Sequence, residues 1–324
     1  GVRTNLGTYN FINTVFGTGS ATFSGRLSNS GTTSLGSFDG RFTGPAAEEL
    51  MARWAAPYRN PTTQNQYINL SVGGGSTRLI GGIPELVQKF NLYTNKPYTD
   101  VSYRSFLASA SAGAPNPALL QQYTFKPAGV QPESVKAYEL GYKGLLGDNV
   151  LLDAYGYYNQ YKNFITAVEV YQNNNGTFTK FGVPVNAEGQ VSSYGGAFGL
   201  DYMINKFTLN GNVSYNQIGD LPANYINDFN TPKVRYNLGI GNKNIGRNIG
   251  FNVSYRWQDS FYWSSSFASG NVDSFGTLDG QVNIKIPSVK SMVKIGGSNI
   301  LNKYNITSYG NPAMGAMYYI GFTF

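Results

Sequence analysis

Nine stretches of this 324-residue chain alternate apolar and polar side chains, and the connections between them alternate short and long. Together these two patterns constrain the fold more than any single motif. In 207–215, Phe207, Leu209, Val213 and Tyr215 share one face, and Thr208, Asn210, Asn212 and Ser214 share the other. In 251–258, Phe251, Val253, Tyr255 and Trp257 oppose Asn252, Ser254, Arg256 and Gln258. In 278–286, Leu278, Val282, Ile284 and Ile286 oppose Asp279, Gln281, Asn283 and Lys285. A period of two marks a strand with two unlike faces. The strands expected on this basis cover about 134–146, 150–165, 191–204, 207–215, 233–243, 248–258, 277–286, 289–299 and 316–324.

The short connections are "GDN" at 147–149, "NK" at 205–206, "NIGR" at 244–247 and "PS" at 287–288. They consist largely of turn formers. The long connections cover roughly 166–190, 216–232, 259–276 and 300–315. A soluble sandwich has no reason to sort its loops in this way. A transmembrane barrel does, because every short turn lies on the periplasmic side and every long loop outside. Several of these strands also reach ten residues or more, whereas soluble domains average about five or six. The expected fold is therefore all-β, a transmembrane antiparallel β-barrel with its C-terminus toward the periplasm.

Composition agrees. Charged residues make up 13% of the chain and aromatic residues 15%, with 25 Tyr, 20 Phe and 40 Gly. No run of about 18 apolar residues is present, so no helix is expected to cross a membrane. A barrel needs an apolar lipid face, aromatic girdles and a polar lumen. Tyr138, Leu140 and Tyr142 then face lipid. Glu139, Lys143, Asp153, Arg235, Arg256, Asp279 and Lys285 face the lumen, where they line a path, hold polar protein that fills it by salt bridges and hydrogen bonds, or are simply solvated. A smaller closed barrel formed by this chain alone is the alternative architecture. The net charge of +7 is scattered, with no Lys/Arg cluster to track phosphates, so no nucleic-acid partner is expected. Cysteine and histidine are absent, which excludes disulfides, Cys or Ser–His nucleophiles and His or Cys metal sites. No metal, cofactor or enzymatic role is expected. Glu48 and Glu49 read as a solvated helix start, not an acid/base pair.

The first 133 residues are less regular. Segments near 5–16, 19–28 and 34–42 suit strands, and residues 1–57 are read as irregular or early barrel strands. "GPAAEELMARW" (44–54), "IPELVQKF" and "NPALLQQY" read as short helices introduced by proline. Residues 58–133 are taken as a large extracellular region with such helices, and 134–324 as C-terminal barrel strands. Glycines 73–75 lack the Gly-Lys-Ser/Thr element of a phosphate loop and read as a flexible loop. The sequons at Asn175, Asn212, Asn252 and Asn305 carry no meaning in a bacterial barrel. "GVRTNLGTYNF" has no signal-peptide pattern, so the expectation is a signal cleaved upstream or a piece of a longer chain.

Three segments carry a family resemblance: "AAPYRNPTTQNQYINL" (55–70), "KPAGVQPESVKAYELGYKGLLGDNVLLDAYGYYNQYKNFI" (126–165) and "GGSNILNKYNITSYGNPAMGAMYYIGFTF" (296–324). In this order they resemble the C-terminal barrel of TonB-dependent outer-membrane receptors, in the variety found in Bacteroidetes-type bacteria. The resemblance implies the C-terminal portion of a 22-stranded barrel, with the plug domain outside this sequence. It also implies energised uptake of a scarce ligand across the outer membrane of a Gram-negative cell, with substrates ranging over siderophore-iron, cobalamin and oligosaccharides. A docking barrel within a larger assembly, or a passive diffusion channel, is the alternative. The implied partners are the TonB complex through the plug, the barrel-assembly machinery, outer-membrane lipid and a surface lipoprotein lid. Tyr58, Arg59, Tyr67 and Arg78 fall where the resemblance places an extracellular loop, and suit an anionic or sugar-like ligand or simple loop packing. Tyr318, Ile320, Phe322 and Phe324 resemble a C-terminal assembly signal and serve equally as a lipid face.

Overall fold

The computed structural model describes the backbone of residues 2–4, 7–16, 22–28, 36–41, 49–219, 221–265 and 268–324, and side chains for Arg53 and from residue 55 onward within those spans. Four strands, β1 (Val2–Thr4), β2 (Gly7–Phe16), β3 (Thr22–Ser28) and β4 (Gly36–Arg41), form an antiparallel meander. β5 (Glu49–Ala55) and β6 (Tyr58–Arg59) follow. Residues 60–132 then carry α1 (Thr63–Tyr67), β7 (Asn69–Val72), β8 (Thr77–Ile80), α2 (Pro84–Lys89), β9 (Tyr98–Thr99) and α3 (Asp100–Ser111). Next come β10 (Glu133–Leu146), β11 (Val150–Lys162), a hairpin of β12 (Ile165–Asn174) and β13 (Thr177–Asn186), β14 (Val191–Ile204) and β15 (Phe207–Ile218). β16 (Val234–Ile245), β17 (Ile249–Gln258), a small hairpin of β18 (Phe261–Trp263) and β19 (Gly270–Val272), β20 (Phe275–Ile286), β21 (Ser291–Ser298) and β22 (Met317–Thr323) complete the chain.

The main sheet runs β22-β21-β20-β17-β16-β15-β14-β11-β10-β5, with β6 also paired to β10. Neighbours are antiparallel throughout, and the register keeps like with like. Across one face run Ala154↔Phe198, Phe198↔Val213, Val213↔Tyr236 and Tyr236↔Trp257, while the other carries Asn212↔Asn237 and Asn237↔Arg256. A one-residue slip would exchange the faces, so two unlike environments fix the register. Leu140, Phe198, Val213, Leu238, Ile295 and Ile320 stay exposed on the first face. An apolar face this extensive, left without protein cover, marks a surface that meets another apolar phase. Rings on neighbouring strands fill the gaps above glycines. A Cβ on Gly195 would strike Tyr157, one on Gly296 would strike Tyr319, and one on Gly297 would strike Tyr318. The nine stretches read from the alternation appear as β10, β11, β14, β15, β16, β17, β20, β21 and β22. Their short links use left-handed residues such as Gly147, Asn205, Gly246 and Lys290.

Two expectations are corrected. Residues 49–55 are not the start of a helix. They form β5, which lies antiparallel to β10 with Arg53 opposite Glu139 and Ala55 opposite Ala137. The ladder hydrogen bonds outweigh the weak helix preference that Pro45 and the glutamates suggest; Glu48 lies outside the described residues. Residues 166–190 are not an open loop either. Val168 and Val170 of β12 face Val183 and Phe181 of β13, and Asn175 and Gly176, both at positive φ, close the hairpin. This hairpin joins β7, β8 and β9 in a second sheet of order β7-β8-β13-β12-β9. Ile80, Val87, Leu92, Phe125, Val168, Val170, Phe181 and Val183 form its buried core. Most of the apolar burial sits here, in a cap at the end of the main sheet where the long connections emerge. α2 begins with Pro84 at its first turn, as the sequence indicates, while Pro117–Leu119 makes only a single 3-10 turn.

Candidate ligand-facing sites on the cap and the polar wall

The cap is fastened to the main sheet through Glu133, the first residue of β10, which is 4% exposed. One carboxylate oxygen of Glu133 accepts from the Arg59 guanidinium at 2.9 Å and from the Ile165 backbone N–H at 2.8 Å. Arg59 also donates to the Ile165 carbonyl at 3.3 Å. The start of β12 is thereby clamped to the start of β10, and a buried carboxylate gains both charge and hydrogen-bond partners.

Beside this clamp lies a cavity of about 570 Å³, lined among others by Arg59, Glu133, Tyr161, Thr166, Asp228 and Asn230. Burial pushes the Asp228 carboxyl up to about 6, against a smaller downward pull from Arg59. A second cavity of about 510 Å³ shares Ser264 and Ser265 with the first. Its walls carry two ion pairs, Arg104–Asp100 at 2.7 Å and Lys180–Glu169 at 2.8 Å. The Tyr103 ring stacks on Tyr171 at 4.0 Å between centroids. Burial, aided by Asp100 and Glu169, pushes the Tyr171 phenol up to about 12, so it remains a hydrogen-bond donor at neutral pH.

The polar face of the main sheet is a wall of amides, hydroxyls and paired charges. Asn237 donates to Asn212 at 2.7 Å, and Tyr157 donates to Asn216 at 2.8 Å. Arg53 lies 3.9 Å from Glu139, and Lys143 lies 3.4 Å from Asp153. Arg256 meets Asp279 at 2.6 Å, and Asp279 accepts from Ser298 Oγ at 2.9 Å and from the Asn299 N–H at 2.8 Å. Arg235 lines a cavity of about 630 Å³ on this face, beneath the connection from β21 to β22. Lys285 sits at the opposite end of the wall, where its backbone N–H donates to the Asn248 carbonyl.

The four loop residues singled out in the sequence do not converge. Arg59 lines the first cavity, but Arg78 lies over the ring of Phe90, which packs against the cap core, at 5.1 Å. Tyr58 and Tyr67 are exposed and line neither cap cavity. Tyr318, Ile320, Phe322 and Phe324 are all exposed, and the first three fall on the apolar face, opposite Gly297, Ile295 and Val293. Sequence reasoning missed Glu133, Asp228, Asp100, Arg104, Glu169 and Lys180. Only Glu133 left a local trace, as the residue after Pro132 where the alternation begins.

Long antiparallel strands with one exposed apolar face and one polar face, joined by alternating short and long connections, define the wall of a transmembrane β-barrel. The family model described as "TonB dependent receptor-like, beta-barrel" matches residues 3–302, and the chain belongs to that family. Among solved structures, it is similar to the siderophore receptor PirA from Acinetobacter baumannii (14% identity, TM-score 0.52). It is likewise similar to the FrpB iron transporter from Neisseria meningitidis (12%, 0.52) and to the copper transporter OprC (11%, 0.55). Each alignment covers 93% of this chain and, in that order, 40%, 41% and 43% of the other. The chain therefore spans about 40% of the length of these receptors, and at such identities the likeness is one of fold. No curated protein matches the chain.

Proposed function

We propose that this chain forms the C-terminal part of the barrel of a TonB-dependent receptor of the Bacteroidetes type, in the outer membrane of a Gram-negative cell. The observation that carries this reading is the family match over residues 3–302, joined to a sheet with one lipid-suited and one polar face. The proposed activity is energised uptake. A scarce ligand binds on the outer side, and the TonB complex, acting through a plug within the lumen, admits it. On this reading the long connections and the cap, residues 58–133 with β12 and β13, are extracellular, and the β20–β21 turn is periplasmic. The cap cavities with Arg59 face arriving ligand, and Glu139, Lys143, Asp153 and Asp279 line the lumen. Tyr318, Ile320, Phe322 and Phe324 guide insertion by the barrel-assembly machinery and then rest in lipid, and a surface lipoprotein covers the outer mouth. The solved relatives include siderophore, iron and copper receptors, and ferric chelates are the first ligands to test.

The test uses the full-length receptor in cells, with growth on limiting iron, cobalamin or glycans to find the ligand. Bound and internalised ligand are then measured with and without TonB. The proposal expects binding to persist and uptake to stop when TonB is lost. Unchanged uptake would leave a diffusion channel instead, and no ligand at all with stable outer-membrane partners would leave a docking barrel.

A further inference from the structure

The apolar face of the main sheet changes character at its cap end. Lys136 of β10 stands directly opposite Gln160 of β11, and Lys162 stands opposite Ser134. These positions share the parity of Tyr138, Leu140 and Tyr158, so both lysines belong to the apolar face and not to the polar wall. They are diagonal neighbours across one ladder, near enough for two long side chains to meet one small group. Both are exposed, and neither forms an ion pair among the described residues. Lys143, on the other face of β10, is closed by Asp153. On β10, β11, β14 and β15 the described residues place no carboxylate on the apolar face. At the opposite end of these strands that face stays apolar up to the turns, with Leu146 against Val150 and Ile204 against Phe207.

Height gives the lysines a setting. Gln160 lies ten residues beyond Val150, the first residue of β11. At about 3.3 Å per residue and a tilt of about 40°, that is roughly 25 Å, the full height of the apolar band of a membrane barrel. Tyr138, Tyr158 and Tyr194, paired in one row, lie just below it, where an aromatic girdle belongs. Lys136 and Lys162 therefore stand at the depth of lipid headgroups, where an ammonium on a long stem is at home.

Beneath the tyrosine row the face is dented. Gly156 and Gly196 stand opposite each other, flanked by Leu140 on β10 and Tyr215 on β15. Gly196 is needed as glycine, because a Cβ there would lie 2.6 Å from the Tyr155 carbonyl oxygen. Gly156 is not: its φ is not positive, and a Cβ there would meet only a backbone oxygen at 3.7 Å. No ring covers it, unlike Gly195, Gly296 and Gly297. Two facing glycines leave a trough about one strand spacing, roughly 5 Å, across. Glycine weakens a strand interior and often marks a place where a ligand comes close.

We infer that this strip binds a phosphate-bearing lipid of the outer leaflet. The Lys136 and Lys162 ammoniums hold the phosphate, Gln160 beside them donates its amide, and one acyl chain descends past Tyr158 into the Gly156–Gly196 trough. An ammonium is a compact point charge that suits a phosphate, and the charge-assisted bonds are the strong ones. A headgroup without the chain keeps only the charges, and a chain without the phosphate keeps only the trough. The inference rests on the proposed orientation, with the cap outside, and on nothing in the lumen.

The probe is tritiated dioleoyl phosphatidate, equilibrated with the full-length receptor immobilised in detergent and displaced by unlabelled competitors. Phosphatidate is expected to compete at least about tenfold better than dioleoylglycerol, which has the same chains and no phosphate. Glycerol 3-phosphate, the headgroup alone, should not compete at the same concentration. Lys136→Gln combined with Lys162→Gln should bring phosphatidate to within about twofold of dioleoylglycerol. Gly156→Leu, which fills the trough, should weaken phosphatidate several-fold. Lys206→Gln, a cation removed from the short β14–β15 turn at the other end, should change nothing. Unboiled gel mobility confirms that each variant is a folded barrel. Equal competition by phosphatidate and dioleoylglycerol, a phosphate preference that survives the double lysine substitution, glycerol 3-phosphate competing as well as the lipid, or a folded Gly156→Leu receptor that binds unchanged would each overturn the inference. The assay needs neither TonB nor uptake, so its failure leaves the proposed transport role standing, and the reverse also holds.

Discussion

Substituting arginine at two adjacent positions of β17 separates the lipid-facing from the lumen-facing side. β17 has ten residues, Ile249–Gln258. At about 3.3 Å per residue and a tilt of about 40°, it rises roughly 25 Å, the height of the apolar band of such a barrel. Val253 is the fifth residue and so lies near the middle of that band. Its ladder partners are Ile240 and Gly280, on the exposed apolar face. Val253→Arg puts a guanidinium there and should cost about 2–4 kcal/mol. Asn252 lies one residue away, but its partners are Gly241 and Gln281 on the polar wall. Glycine opposite leaves room, and the wall is already polar, so Asn252→Arg should cost less than about 1 kcal/mol. The assay is reversible denaturant unfolding of the full-length receptor in lipid vesicles. A difference of 2 kcal/mol is roughly a thirtyfold change in the folding equilibrium and is readily measured. Equal costs, or a larger cost for Asn252→Arg, would mean that the faces are assigned the wrong way round.

Three further outcomes are expected. Glu133→Gln should loosen the cap by about 1–3 kcal/mol, because the buried Ile165 N–H and the half-exposed Arg59 guanidinium lose a charged acceptor; faster amide exchange in β12, with the main sheet unchanged, is the measurement. Asp228 binds its proton more tightly in the folded cap than its ordinary value of 3.8 allows. The stability this gives is present below about pH 3.8 and is lost as pH rises through about 6, on the order of 1–2 kcal/mol after allowance for solvent screening; Asp228→Asn should flatten the dependence of cap melting on pH across that window. Phe324→Ala should lower the yield of receptor inserted into the outer membrane without changing the stability of the receptor that does insert, as read by quantitative blotting of membrane fractions beside vesicle unfolding.

The strands of the main sheet were legible because each meets the same two environments along its whole length. Asn212 and Val213, one residue apart, must face opposite ways in every register that keeps the sheet in place. β12 and β13 were missed for the opposite reason. Their valines point into a small core shared with α2, β8 and Phe125, and those partners come from 40 or more residues away in the chain. The "NNNG" run at 173–176 did carry a hairpin signal, but the contrast of long and short connections led to reading the span only as a loop. β5 was misread because a proline and two glutamates mimic a helix start, and pairing with β10 decided otherwise. The cap cavities were the least legible. Nothing local marks Asp228 as a carboxyl that the cap partly desolvates, and its neighbour Arg59 is far from it in sequence. Arg59 was named for its chemistry, and its nearest carboxylate proved to be Glu133 across the clamp.

The sidedness of the connections ties the fold to the proposed function, and it can be measured directly because these 324 residues contain no cysteine, once any cysteine elsewhere in the full-length receptor is replaced by serine. Single cysteines replace Asn175 at the β12–β13 tip, Asn311 in the β21–β22 connection, Lys206 in the β14–β15 turn and Ser288 in the β20–β21 turn of the full-length receptor. Intact cells are then treated with a maleimide too large and too polar to cross the outer membrane. The account predicts labelling at positions 175 and 311, and labelling at 206 and 288 only after the cells are opened. Labelling of 206 or 288 on intact cells, with 175 and 311 protected, would contradict it.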